Sequence, residues 1–145
     1  MTHLKYLFTL IIFQGLCVYS QAADQDMVVV VNINNPTTTM TKSQVIDLFM
    51  GRYIAFPNGQ QAIPIELMGE AETKKNFYQD LVGMSLARVN AYWSRIKYSG
   101  RVKASKKVTS AKKVIGLLAA SPLSISYMLR EDVTKDLKVV YALNE

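Results

Sequence analysis

The chain has 145 residues, half of them hydrophobic, and 17 Lys and Arg against 11 Asp and Glu give it a net charge of +6. That length suits one domain of ordinary size and is too short for two full lobes. The one histidine, His3, and the one cysteine, Cys17, both fall near the N-terminus, which excludes zinc sites of the usual ligand types and a Ser-His-Asp triad from the rest of the chain.

His3 and Lys5 precede an apolar stretch over residues 6–18, and small residues follow at Ser20, Ala22 and Ala23. This is the pattern of a secretory signal peptide. Cleavage is expected after Ala22, leaving residues 23–145 as one mature domain in the periplasm or outside the cell. The apolar stretch is shorter than the ~20 residues a membrane span needs. Bulky Leu16 before Cys17 argues against lipoprotein processing. With Cys17 removed, the domain depends on a packed core and not on a disulfide.

Residues 27–34 (MVVVVNIN) are a β-branched run that predicts a buried, central strand. A loop follows with Asn34, Pro36, Thr37 and Thr38. Thr41 then stands three residues before Gln44, a capping box opening a helix whose buried face is Val45, Ile46, Leu48 and Phe49. Gly51 stops it, and Pro57-Asn58-Gly59 is a turn. Residues 63–67 (IPIEL) predict a second strand, with Pro64 pointing to an edge or a strand start. A helix is expected over residues 71–82 and ends at Gly83. Ser85 caps the next, whose positions Leu86, Val89, Tyr92, Trp93 and Ile96 keep helical spacing. Thr109 or Ser110 caps a further helix burying Val114, Ile115, Leu117 and Leu118. Residues 124–128 (SISYM) alternate as a half-buried strand, and residues 137–143 form the last. Strands alternating with helices predict an α/β domain with a mostly parallel sheet of four to five strands.

Charge is uneven. No Asp or Glu occurs between Leu81 and Arg130, whereas Arg88, Arg95, Lys97, Arg101, Lys106, Lys107, Lys112 and Lys113 all lie there. Such asymmetry steers anionic partners. Nucleic acid is a poor partner for an exported chain, and the helical spacing of Tyr92 and Trp93 reads as core.

The order of these segments resembles the phosphate-binding-protein family, the substrate-binding components of phosphate ABC transporters, and within it the short, single-lobe exported members. The family's helix pattern, S-x-x-Q ending F-x-G, is met by Thr41-Lys42-Ser43-Gln44 and Phe49-Met50-Gly51. Its turn and strand are met by Phe56-Pro57-Asn58-Gly59 and Ala62-Ile63-Pro64-Ile65. Ala91-Tyr92-Trp93 is similar to the tryptophan helix of the short group, and Ser124-Ile125-Ser126-Tyr127 stands where the family has G-A-I-G-Y. On its phosphate loop, G-S-G-T, this chain has Glu70-Ala71-Glu72-Thr73, with Phe77 as the following aromatic. Of the loop's ligands only Thr73 is retained. Ala71 lacks a hydroxyl, and Glu72 would crowd an anion. Acids at those positions also suit the positive end of a helix.

The resemblance implies a single-lobe, periplasmic-binding-protein-like α/β domain that is solute-binding-like and non-catalytic, with no cofactor and no metal. Its expected ligand is phosphate or another small anion, held by Thr73 and Tyr127. Because ligands in open α/β sheets sit beyond the carboxyl ends of strands, Asn34, Thr37 and Thr38 from the loop after the first strand are expected to form the other side of that site, with Arg101 of the basic stretch approaching it. An ABC permease is the partner the family implies. The alternative is an interaction module that kept the fold, lost phosphate, and binds an envelope protein with an acidic surface. Glu66, Glu70, Glu72 and Tyr127 are the groups an acid–base reaction would use, but their spacing identifies no reaction.

Overall fold

The computed structural model describes residues 26–68, 71–100 and 105–145. The expected signal segment therefore lies outside the described residues. Among the described residues, five strands and four helices are formed: β1 (Met27–Asn32), α1 (Lys42–Phe49), β2 (Ile63–Leu67), α2 (Glu72–Val82), α3 (Leu86–Lys97), β3 (Lys106–Val108), α4 (Ala111–Ala120), β4 (Ser124–Leu129) and β5 (Leu137–Ala142). A short 3₁₀ turn, Arg130–Asp132, joins β4 to β5.

The strands form one sheet in the order β3-β2-β4-β1-β5. β2 is parallel to both β3 and β4, while β1 is antiparallel to both β4 and β5. Four strands thus run one way and β1 alone runs against them, so the sheet expected to be mostly parallel is mixed in its pairings. Helices cover both faces. On one, Val29, Val31, Ile125 and Tyr127 pack against Val45, Phe49, Phe77, Leu81 and Val89 from α1, α2 and α3. On the other, Val28, Val30, Ile65 and Met128 pack against Val114 and Leu118 of α4. Every residue of β1 is buried, which is why its sequence is a continuous apolar run instead of an alternating one.

Local chemistry sets most boundaries. Thr41 and Gln44 make the capping box in both directions. Ser85 caps α3, and Ser110, not Thr109, caps α4. Gly83 closes α2 at φ 66°, a left-handed position that disfavours other residues. Pro64 is at the start of β2 and not on a sheet edge: the strand pairs with β4 at Ile63 and Pro64 and with β3 from Ile65 onward.

One expectation is corrected and one strand is new. β4 is buried on both faces, not half-buried. Its polar Ser126 stands opposite Val30 and satisfies its hydroxyl on the Ile65 carbonyl at 2.7 Å, so a small polar residue was compatible with the interior. β3 was unforeseen. Its sequence, KKV, carries no apolar alternation because two of its three side chains are exposed lysines.

Candidate functional site

The parallel strands β2, β3 and β4 end together, and α2 and α4 begin beside those ends. This is where an open α/β sheet gathers ligands. A small cleft of about 60 Å³ opens there, lined by Leu67, Thr73, Ala111, Ser126, Tyr127 and Asp132 among others. Thr73 comes from the first turn of α2. Ala71 stands at the N-cap with no side-chain hydrogen bond, so the partial positive charge of the helix start is not answered by a capping side chain. Glu72 does not line this cleft. It is exposed and pairs with Lys75 at 3.4 Å, the placement expected of an acid answering the helix dipole.

Beneath the cleft lies a buried carboxylate. Glu66 is 3% exposed. Its Oε1 accepts from the Tyr78 hydroxyl at 2.5 Å and the Tyr127 hydroxyl at 3.5 Å, and its Oε2 accepts from the Ser105 hydroxyl. A buried charge is tolerated only when so satisfied. The Tyr127 ring lies flat on Phe77, centroids 3.7 Å apart and planes 8° from parallel, while Phe49 meets both rings edge-on. Burial, and then the Glu66 carboxylate, push the phenols of Tyr78 and Tyr127 well above the ordinary tyrosine range. Both therefore act as neutral donors.

Lysines surround this carboxylate. Lys107 stands opposite Glu66 in the β2–β3 register, and Lys74 of α2 is 6% exposed. Partial desolvation, followed by Lys74 and Lys97, pushes the Lys107 ammonium below the ordinary lysine value, and Glu66 acts against that shift. Chemically, the region combines an inward-facing carboxylate saturated by hydroxyls with one buried lysine, Lys74, and one exposed lysine, Lys107.

The residues expected to form one site are divided. Thr73 and Tyr127 share the cleft. Asn34, Thr37 and Thr38 lie at the other end of the sheet, because β1 runs backwards: Met27 faces Leu129 at the end of β4, while Val31 faces Ile125 at its start. The loop after β1 is tied instead to the opposite end of α4. Asn32 Nδ2 donates to the Leu118 and Ala119 carbonyls at 2.8 Å each, and Asn35 Nδ2 donates to the Pro122 carbonyl at 2.6 Å. Thr38 borders a separate groove with Val139 and Tyr141 of β5. The expectation that this loop forms the other wall of the Thr73 cleft is thereby corrected. Arg101 lies outside the described residues. Sequence reasoning weighed Glu66 only as a reactive acid and missed Tyr78 and Ser105 as its partners. The available signal was the single acid inside the apolar strand IPIEL, which must find donors once buried. Among the described residues no cluster of metal-ligating side chains is present, and no helix is long and apolar enough to cross a membrane.

No family model matches the chain, and no curated protein matches it significantly. Solved structures do. An ABC-type phosphate transport receptor from Vibrio cholerae superposes with a TM-score of 0.59 at 15% identity, over 79% of this chain and 45% of its own. PstS from Borrelia burgdorferi superposes with a TM-score of 0.55 at 12% identity, over 79% of this chain and 46% of its own. At these identities the likeness is one of fold. The chain spans less than half the length of these structures.

Proposed function

We propose that this is an exported, non-catalytic, solute-binding-like protein, whose ligand is phosphate or another small anion held at the start of α2. The observation that carries this reading is that Thr73 and Tyr127, distant in sequence, line one cleft at the carboxyl ends of β2 and β4. The first turn of α2, uncapped by any side chain, favours an anion there. The matched phosphate receptors support the same class of ligand. With a single lobe, the ligand stays half exposed, so the affinity expected is weak and a second wall from an ABC permease or another envelope protein would raise it.

Isothermal titration of the purified protein with phosphate and sulfate at low salt tests the reading. Saturable heat at millimolar anion is expected, weakened by Thr73→Val. Absence of both heat and thermal shift would end it.

One observation favours a second reading, an interaction module that kept the fold and lost phosphate. The hydroxyls of Tyr78, Tyr127 and Ser105 are already taken up by Glu66, leaving few side-chain donors for a diffusible anion.

A further inference from the structure

The cleft at the ends of β2 and β4 is lined mainly by hydrocarbon. Leu67 of β2, Met128 of β4 and Ala111, Val114 and Ile115 of α4 all face it. Val114 and Met128 are buried in the core beneath α4, and Leu67 and Ile115 pack beside them partly buried. Packing accounts for these side chains but not for the space left between them. Interiors leave few openings larger than a water molecule. This one, of about 60 Å³, has room for about four to six groups of that size. An apolar opening of this kind holds water poorly and takes hydrocarbon readily.

The polar groups of the cleft are few. The Ser126 hydroxyl is spent on the Ile65 carbonyl at 2.7 Å, and the Tyr127 hydroxyl is turned to Glu66. Two side chains remain. Thr73 comes with the uncapped start of α2, and Asp132 comes from the 3₁₀ turn after β4. Among the described residues the Asp132 carboxylate joins no ion pair. One cleft thus combines a helix start that attracts anions, a carboxylate that repels them, and an apolar lining. Inorganic phosphate answers only the first, since its oxygens need several donors and its charge meets Asp132. An aliphatic amine answers the other two but is repelled by the positive end of α2. A molecule with both charges and a short hydrocarbon group answers all three.

We propose that the cleft takes a small aliphatic amino acid, of the size of alanine or 2-aminobutyrate. Its carboxylate lies at the first turn of α2 with Thr73, its ammonium group pairs with Asp132, and its side chain enters among Val114, Ile115 and Met128. This rests on the reading of the cleft as a solute site at the start of α2, and it replaces a bare anion with the carboxylate of a zwitterion.

Isothermal titration at low salt with glycine, alanine, 2-aminobutyrate, propionate and phosphate is the test. Affinity should rise about fourfold for each methylene from glycine to 2-aminobutyrate. Alanine should bind more tightly than propionate, which has the same carbon skeleton without the ammonium group. Asp132→Asn, at an exposed position, should weaken alanine about threefold to fivefold and leave propionate and phosphate unchanged or tighter. Ala111→Leu, also at an exposed position, fills the cleft and should abolish binding of 2-aminobutyrate. Phosphate or propionate bound more tightly than alanine would overturn the amino-acid assignment and leave the small-anion reading standing. An equal response of alanine and propionate to Asp132→Asn would overturn the assignment as well, and so would an affinity for 2-aminobutyrate unchanged in Ala111→Leu. Binding of none of the five solutes would end both readings.

Discussion

The hydroxyl of Tyr78 stands 2.5 Å from Glu66 Oε1 and donates to it, tying α2 to β2 through a buried charge. Removing that donor leaves the carboxylate in place without one of its three hydroxyl partners. Tyr78→Phe is expected to lower stability by about 1.5–3 kcal/mol, read as a reduced urea midpoint at unchanged slope. The double variant Tyr78→Phe/Glu66→Gln should recover part of the loss, because the uncompensated charge is then gone. A loss below about 0.5 kcal/mol in Tyr78→Phe would mean that water or relaxation satisfies Glu66.

Burial of two phenols, reinforced by the same carboxylate, predicts alkaline instability. Tyr78 and Tyr127 hold their protons in the folded state far above the ordinary value of 10.0, whereas in the unfolded chain they ionise near it. Above that pH the unfolded state binds fewer protons than the folded one, so stability falls as pH rises. The thermal midpoint should be insensitive to these groups below about pH 9 and decline from about pH 10 upward. Their phenolate absorbance at 295 nm should appear together with unfolding, and Tyr127→Phe should reduce the steepness of the decline.

Asn32 closes the far end of α4 from a neighbouring strand. Its amide donates to two carbonyls of the last turn, and its Oδ1 accepts from the Asn34 N–H at 2.9 Å. Those carbonyls have no partner within the helix. Asn32→Ala should cost about 1–3 kcal/mol. Asn32→Asp should cost more, because it sets a carboxylate against two carbonyl oxygens. Chemical denaturation of the three proteins gives the order, and an aspartate variant as stable as the alanine one would contradict it.

Thr37 distinguishes structure from ligand binding. It is 7% exposed, and among the described residues its Oγ1 is buried without a hydrogen-bond partner. The isosteric Thr37→Val removes that polar atom and should be neutral or stabilise by up to about 1 kcal/mol. Because Thr37 lies at the opposite end of the sheet from Thr73, anion titrations should be unaffected. A Thr37→Val variant that loses anion binding would return this loop to the site.

The legible parts of the fold were those specified by neighbours in sequence. The capping box of Thr41 and Gln44, the stop at Gly83 and the runs 27–34 and 63–67 act over a few residues, and the elements they predict are present, the first strand ending at Asn32. β3 was illegible because an edge strand with exposed lysines has no apolar pattern to read. The candidate site was legible in part. Thr73 and Tyr127 come from segments correctly assigned to a helix start and a strand, and parallel pairing of β2 with β4 brings them together. Asn34, Thr37 and Thr38 were placed with them on the rule that ligands gather at strand carboxyl ends, and that rule carries no information about which strand runs backwards.

Taken alone, the amino-acid sequence determined the α/β class, the exclusion of histidine and cysteine chemistry from residues 18–145, and the segregation of charge, because these follow from composition and short-range spacing. Tertiary structure decided the direction of β1 and the burial of Glu66 among Tyr78, Tyr127 and Ser105. Each of these depends on contacts between residues far apart in the chain, whose pairing is set by how the sheet closes and by what a buried charge requires, and not by the residues beside them.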